Sequence, residues 1–567
     1  MPKCVVVGGG FGGMASALRM RAKGYDVTLI DKQDKLGGRG YAYEKQTEHG
    51  VFKHDAGPTV ITAKFLFDEL FELFGKKRED YVEFRDIYPW YRIVFAGDVT
   101  SGRAPSVSEG TDLPHFDYGG TMEQFETQIR KFGGDRDVEG FRKYLAHSKK
   151  IFDKGFTDLG DQPFDKFTTM LKCAPDLVRL GCYKTVWQMG AKYIKDDRLR
   201  RVFSFQPLLV GGNPFNTTCI YSLIFYLERE WGVQFAMGGT GAIVRGLQKL
   251  MEEEGIEVRL GREVQKIDVH RGVKYFDIPK RAASVMLDEE GYWLGDGVDA
   301  TNPVIVNADP PHVYRNLIAP EHRPKYPDIK IDKLKYSMGL FVLYFGTTKQ
   351  YPDVAHHTIV LGEAYKSLLK KLFDAKEVER EDLSVYLHRP TATDPSMAPE
   401  GMDSFYVLVP VPNLQPVRGR GKTMRAPSVS ERSEANDQTP SSRSGLAEVP
   451  VHEDGSVDWD AFGDAFRDDV VRYLDKTVLP GLAECITGDF YVTPNHFRDN
   501  LNTHHGTGFS IQPVFTQSAW FRFHNKSDID GLYFVGAGTH PGAGMPGVLC
   551  SAKLVDRLIE PVKSNAS

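Results

Sequence analysis

The chain has 567 residues, 71 lysines and arginines against 76 aspartates and glutamates, and a formal net charge of −5. That length suits two or three domains, or one large domain of discontinuous segments, and the balanced charge excludes a basic nucleic-acid footprint. Six cysteines, Cys4, Cys173, Cys182, Cys219, Cys485 and Cys550, lie far apart with no C-x-x-C pair, which argues against a zinc ribbon and for a reducing compartment.

Met1-Pro-Lys leads directly into a strand pattern, so no signal peptide is expected at this end. From Cys4 to Asp31 the pattern is strand ("CVVV"), glycine turn, helix ("MASALRMRAKG", with Gly24 as the stop) and strand ("YDVTLID"). Such a β-α-β unit implies a parallel sheet. Gly8, Gly10 and Gly13 form G-x-G-x-x-G in its first turn, and Asp31 follows about twenty positions on at the end of the second strand. Gly8 permits the tight turn, Gly10 lets backbone approach a pyrophosphate, and Gly13 lets helix and strand pack closely. Asp31 can accept from a ribose hydroxyl.

"DKLGGRGYAYE" from Asp34 adds a second glycine pair and Arg39, a guanidinium able to hold phosphate bidentately. Nicotinamide enzymes seldom need that, whereas a flavin dinucleotide is held along most of its length. "DAGPTVI" from Asp55 reads as a turn, with Pro58 fixing φ. The polar stretch after Gly97 reads as a loop. Residues 120–230 read as mostly helical. Within them the stretch from Phe167, with Tyr183, Trp187 and Tyr193, fits either a membrane-interfacial surface or a packed cap with a core of aromatics.

From Gly238 a glycine turn, helix and strand repeat the opening pattern without its acidic end, and "VIVNAD" from Val304 reads as a buried strand. "GLFVLYF" from Gly339, among the longest apolar runs, falls short of the roughly 20 residues that span a bilayer. No transmembrane anchor is expected, and peripheral attachment stays open. Residues 415–450 are rich in Ser, Arg, Pro and Gly and read as a disordered excursion. "YFVGAGTHPGAGMPGV" from Tyr533 places a second glycine run directly after an apolar strand.

With both ends in view, the chain resembles a bacterial-type phytoene desaturase, the carotenoid-forming group of the FAD-dependent amine oxidase-like superfamily. The resemblance runs through "GGRGYAYE", "DAGPTVIT", "EREWGVQFAMGGTGAIVRGLQKL", "YLHRPTATDPSMAPEG", "FRDNLNTHHGTGFS" and "GLYFVGAGTHPGAGMPGVLCSAK", so it covers nearly the whole chain. The polar loop after Gly97 and the 415–450 excursion look like insertions, and Phe523 stands where a proline is usual.

The resemblance implies an α/β fold: a Rossmann-like FAD-binding domain built from residues 1–90, 231–320 and 491–567, a helical, membrane-facing cap over 91–230, and a substrate domain over 321–490. It implies that the glycine run returns to the N-terminal unit, where a Cβ would collide with the flavin. The cofactor site it implies comprises Gly8, Gly10, Gly12, Gly13, Asp31, Lys32, Gly38, Arg39, Pro58, Thr59, Val264, Gly536, Ala537, Gly538, Gly544, Met545 and Val548.

The implied reaction is successive desaturation of 15-cis-phytoene towards lycopene, with hydride leaving an allylic carbon for flavin N5 and a proton leaving its neighbour. His504, His505 and His540 are candidate proton acceptors by type, with His540 best placed because it flanks the flavin run, and Arg522 and His524 are expected to organise that loop. His356, His357, His504 and His505 read as ordinary hydrogen-bonded histidines. No metal is expected, since neither pair has a third ligand at helical spacing. The implied partners are the carotenoid, a membrane surface on the cytoplasmic side, and quinone or oxygen as acceptor, with homo-oligomers left open. A desaturase of a later or shorter carotenoid, a carotenoid isomerase and a retinol saturase share these motifs. A prenyl-binding escort protein would have let the diphosphate site decay, and an amine oxidase would want an aromatic cage beside the flavin ring.

Overall fold

The computed structural model describes residues 1–96, 113–158, 167–270, 281–287, 292–293, 302–417, 423–424 and 448–562. The loop after Gly97 and most of the 415–450 excursion lie outside the described residues. Within the latter, Thr423–Met424 pairs antiparallel with Val449–Pro450.

The β-branched strand Lys3–Val7 pairs in parallel with Asp26–Ile30 on one side and Val304–Val306 on the other. Glu257–Arg259 and Leu532–Phe534 extend the two flanks, also in parallel. The five-stranded order in chain positions is thus 532–534, 304–306, 3–7, 26–30 and 257–259. The helix Phe11–Ala22 is buried along nearly its whole length because it packs against Met545–Leu558 as well as the sheet. It begins three residues before the expected start at Met14 and takes Gly12 and Gly13 into its first turn. Gly24 then ends it at φ +88°, a conformation only glycine adopts without strain.

A second sheet has seven strands in the order 486–492, 339–347, 403–411, 385–388, 357–361, 91–95 and 115–118. All its pairings are antiparallel except 357–361 with 91–95. The run Gly339–Thr347 is apolar throughout because both faces of this sheet are covered. Leu340, Val342 and Tyr344 face the helical side with Phe125, Phe141 and Phe225, while Phe341, Leu343 and Phe345 pack with Trp459, Phe462 and Phe466. Each such side chain contributes roughly 1.5–3 kcal/mol on burial.

On the helical side stand Met122–Phe152, Phe167–Arg179, Val186–Tyr193, Asp197–Val202 and Leu223–Trp231. Thr121 with Gln124, and Thr185 with Gln188, form capping boxes that start two of these helices. The fold is mixed α/β, and among the described residues no helix is long and apolar enough to cross a membrane.

Candidate functional site

The two glycine runs meet at Asn307. Gly8 turns the chain at φ +97°, and a Cβ on Gly13 would stand 1.8 Å from the Gly8 carbonyl oxygen. Asn307 follows the central strand Val304–Val306. Its N–H donates to the Val7 oxygen at 2.7 Å and its Nδ2 to the Gly8 oxygen at 3.4 Å. A Cβ on Gly12 would lie 2.6 Å from Asn307 Oδ1, and one on Gly536 would lie 2.8 Å from the same atom. Val535 N–H donates to the Val306 oxygen at 2.9 Å, which aligns the second run beside the first. Asn307 was not singled out in the sequence, where a single polar residue after a strand carries no periodic signal.

Asp31 closes one end. It is buried, with Oδ2 accepting from Gly9 N–H at 2.5 Å and Oδ1 from Gln33 N–H at 2.7 Å. Burial pushes its carboxyl up and those backbone donors pull it down. Lys32 is engaged by the protein itself: its Nζ donates to the Asp499 oxygen at 2.7 Å and to Asn502 Oδ1 at 3.0 Å, and pairs with Glu263 at 3.1 Å. Val264 continues that wall.

Arg39 lies in the turn Gly38–Gly40, tied to the first run by Gly37 N–H donating to the Gly9 oxygen at 2.9 Å. Its Nε is buried with no hydrogen-bond partner among the described residues. Burial lowers its pKa and the nearby Asp309 raises it. Asp309, also buried, accepts from His504 N–H at 2.8 Å. Thr59 Oγ1 lies 2.8 Å from the Tyr386 hydroxyl and 2.9 Å from that of Tyr406, which donates to the Gly57 oxygen at 2.8 Å.

The second run is braced from behind by Arg522, 2% exposed, whose Nε donates to the Thr539 oxygen at 3.0 Å and Nη2 to the Ala537 oxygen at 2.5 Å. Asn525 Nδ2 donates to the oxygens of Phe534 and His540 at 3.1 and 3.0 Å. His524 faces its own loop, with Nε2 3.0 Å from the Trp520 oxygen.

One cavity of about 660 Å³ joins these parts. Gly8, Gly10, Asp31, Lys32, Gly38, Arg39, Pro58, Thr59, Val264, Gly536, Ala537, Gly538, His540, Gly544, Met545 and Val548 all line it, while Gly12 and Gly13 sit behind, where helix packs on strand. The cavity continues past Leu340, Val342, Leu361 and Leu408, and reaches Ile220 and Ala519.

Glu228 is the one carboxylate on the helix Leu223–Trp231 that reaches this wall. It is 1% exposed, accepts from the Tyr91 and Tyr118 hydroxyls at 2.9 and 2.7 Å, and is pushed up by burial to about 7. It was not singled out in the sequence, because one acidic residue within a helical stretch carries no signal of burial.

No third ligand was expected for His356 and His357 at helical spacing, and the companion they have comes from strand pairing instead. Strand pairing sets His388 directly opposite His357, and the three imidazoles cluster. His504 and His505 lie against each other with their rings tilted, and Tyr336 meets His504 tilted and His505 edge-on.

The residues fit a bound dinucleotide. Side chains on Gly10 or Gly536 would crowd Asn307, a buried guanidinium nitrogen has no acceptor among the described residues, and a carboxylate closes the far end. The family model for flavin containing amine oxidoreductase matches residues 11–401 and 410–556. The chain belongs to that family, whose cofactor is FAD.

Its place within the family is among the phytoene desaturases. It is 40% identical to the lycopene-forming phytoene desaturase of Pantoea ananas, over 98% of each chain. It is 39% identical to that of Pseudescherichia vulneris, over 99% of each. A neurosporene-forming phytoene desaturase of Rhodobacter capsulatus is 36% identical over 99% of this chain and 94% of its own. Among solved structures, cyclohexylamine oxidase from Brevibacterium oxydans superposes with a TM-score of 0.54 at 12% identity, over 99% of this chain and 98% of its own. An oxidoreductase from Methanosarcina mazei gives 0.54 at 14%, over 98% and 100%. These two share the fold alone.

Proposed function

We propose that the protein is an FAD-dependent phytoene desaturase that removes hydrogen from adjacent carbons of phytoene in successive steps towards lycopene. The observation that carries this is the continuity of one cavity from a glycine-lined, Asp31-closed end to a long apolar end. A dinucleotide and a hydrocarbon can meet inside it without crossing solvent.

FAD would be held by Asp31 at its ribose, by Arg39 and the backbone near Gly10 at its diphosphate, and by the run Gly536–Val548 along its ring and ribityl end. Bound flavin supplies the hydride acceptor. The protein's own part is positioning. Leu340, Val342, Leu361 and Leu408 offer an apolar wall that aligns a polyene and excludes water. His540, on the cavity wall and 5% exposed beside the second glycine run, takes the departing proton in this reading.

In this reading residues 1–90, 231–320 and 491–567 form the flavin-binding unit, and 91–230 and 321–490 the substrate unit. The helical segment is the membrane-facing cap of a peripherally attached protein on the cytoplasmic side. Exposed Leu171, Val178 and Tyr183 support it, since they adjoin a small apolar cluster that includes Ala519 and Ile220, residues at one end of the cavity. A quinone dissolved in that membrane, or oxygen, reoxidises the flavin.

The neurosporene-forming relative favours a second reading, in which the product stops short of lycopene. Expression in a bacterium that accumulates colourless phytoene separates the readings through the pigment spectrum. A lycopene-like spectrum is expected, a shorter chromophore marks the second reading, and unchanged phytoene beside flavin-loaded protein rejects both.

A further inference from the structure

Behind the wall of the cavity three imidazoles are brought together by strand pairing. His357 opens the strand His357–Leu361 and lies opposite His388, the last residue of Val385–His388; His356 precedes it. The three are 5%, 0% and 0% exposed in the order His356, His357, His388. One ring nitrogen from each lies within 4.8 Å of the others. Buried polar atoms are normally partnered, yet Nε2 of His356 and of His357 has no hydrogen-bond partner among the described residues, while that of His388 lies 3.4 Å from Asp55 Oδ2.

The pairings that do exist resemble those of ligating rings. His356 Nδ1 lies 2.7 Å from Thr393 Oγ1, which leaves Nε2 as its open donor. His388 Nδ1 lies 3.3 Å from His357 Nδ1. Two nitrogens bound to one tetrahedral ion at about 2.0 Å stand about 3.3 Å apart. On its other side His388 faces a carboxylate, with Nε2 3.4 Å from Asp55 Oδ2. A carboxylate behind a ligating histidine fixes the ring's tautomer and raises its basicity. Asp55 is itself held, accepting from Thr240 N–H at 2.7 Å and Thr240 Oγ1 at 2.9 Å.

We propose that His356, His357 and His388 form a binding site for a divalent transition-metal ion, zinc by ligand type, with Asp55 orienting His388. His357 and His388 bind through Nδ1 and His356 through Nε2. Separations of up to 4.8 Å exceed a tetrahedral edge, so binding draws the rings together. The Tyr386 hydroxyl, 2.6 Å from His357 Nδ1 and 2.8 Å from Thr59 Oγ1 on the cavity wall, engages the lone pair that the ion would take, so binding displaces it towards Thr59. The ion would tie the strands 357–361 and 385–388 to the turn that follows Asp55.

The test uses FAD-loaded full-length protein purified without a histidine tag and dialysed against metal-free buffer. Elemental analysis is expected to find about one zinc per chain. After chelation, cobalt(II) chloride alone is expected to restore one equivalent, with ligand-field absorption to the red of the flavin bands. His388→Gln should weaken cobalt binding at least about 100-fold, and Asp55→Asn about 10- to 100-fold. Protein that carries no zinc and takes up no cobalt overturns the proposal and leaves the cluster a metal-free hydrogen-bonded chain from Asp55 to Tyr386. Unchanged cobalt affinity in His388→Gln overturns it equally. The wild-type measurements stand whether or not either variant folds.

Discussion

The side-chain amide of Asn307 reaches the Gly8 carbonyl across 3.4 Å, joining positions 299 residues apart at the mouth of the first turn. The same side chain bounds the space above Gly12 and Gly536, so it sets the distance between the two runs that flank the flavin end. Asn307→Ala removes a bond whose net worth is about 0.5–1.5 kcal/mol. FAD should bind roughly 2- to 10-fold more weakly, read as the flavin-to-protein ratio after dilution, with the fold intact.

Gly13 and Gly10 should respond differently to alanine. At Gly13 the new Cβ meets backbone, the Gly8 oxygen at 1.8 Å, and neither partner can rotate away. Gly13→Ala should cost about 3 kcal/mol or more and lower Tm by several degrees even without cofactor. At Gly10 the nearest atom is Asn307 Nδ2 at 2.8 Å, the end of a side chain. Gly10→Ala should spare the apoprotein's Tm and lower FAD affinity.

Arg39 carries a buried donor that no group among the described residues satisfies. Arg39→Lys keeps a charge and loses the planar fork. FAD retention should fall about tenfold while the apoprotein is no less stable. A Tm drop without loss of flavin affinity would assign Arg39 to packing instead.

Glu228 gives a pH dependence. Its carboxyl is raised from 4.5 to about 7 by burial, so the folded chain holds a proton that the unfolded chain releases. Stability is therefore full below about 4.5 and falls as pH rises through about 7. The loss is on the order of 3 kcal/mol. Glu228→Gln should flatten that slope, making the variant more stable than wild type at pH 8 by thermal unfolding and little different at pH 4.5.

The exposed trio Leu171, Val178 and Tyr183 predicts a membrane contact. Leu171→Glu with Val178→Glu should abolish co-sedimentation with anionic lipid vesicles and leave flavin content unchanged. Undiminished sedimentation would place the contact elsewhere.

The opening β-α-β unit was legible because three local signals coincide there: a β-branched run, glycines at fixed spacing and an acidic residue at the strand end. The glycine run after Tyr533 was legible from the apolar strand before it and from the resemblance. Asn307, Asp309, Glu228 and His388 were not, because each acts through a neighbour delivered by pairing or packing. His388 is an ordinary residue in "YLHRP" until antiparallel register sets it against His357. The start of the helix Phe11–Ala22 was misjudged because glycine usually breaks helices; here Gly12 and Gly13 sit in its first turn, where a Cβ would strike Asn307 or Gly8. The insertions fall largely outside the described residues, and the fold gives no account of them.

The sheet order has a consequence for biogenesis. Among the described residues, Leu532–Phe534 joins the parallel sheet through Val304–Val306, which pairs with Lys3–Val7 on its other side. A chain emerging from the ribosome keeps an unpaired parallel edge, and half of its cofactor cradle missing, until Val548 has cleared the exit tunnel. Because distant parallel pairing is slow, flavin capture must follow translation. Shielding that apolar edge in the interval falls to chaperones.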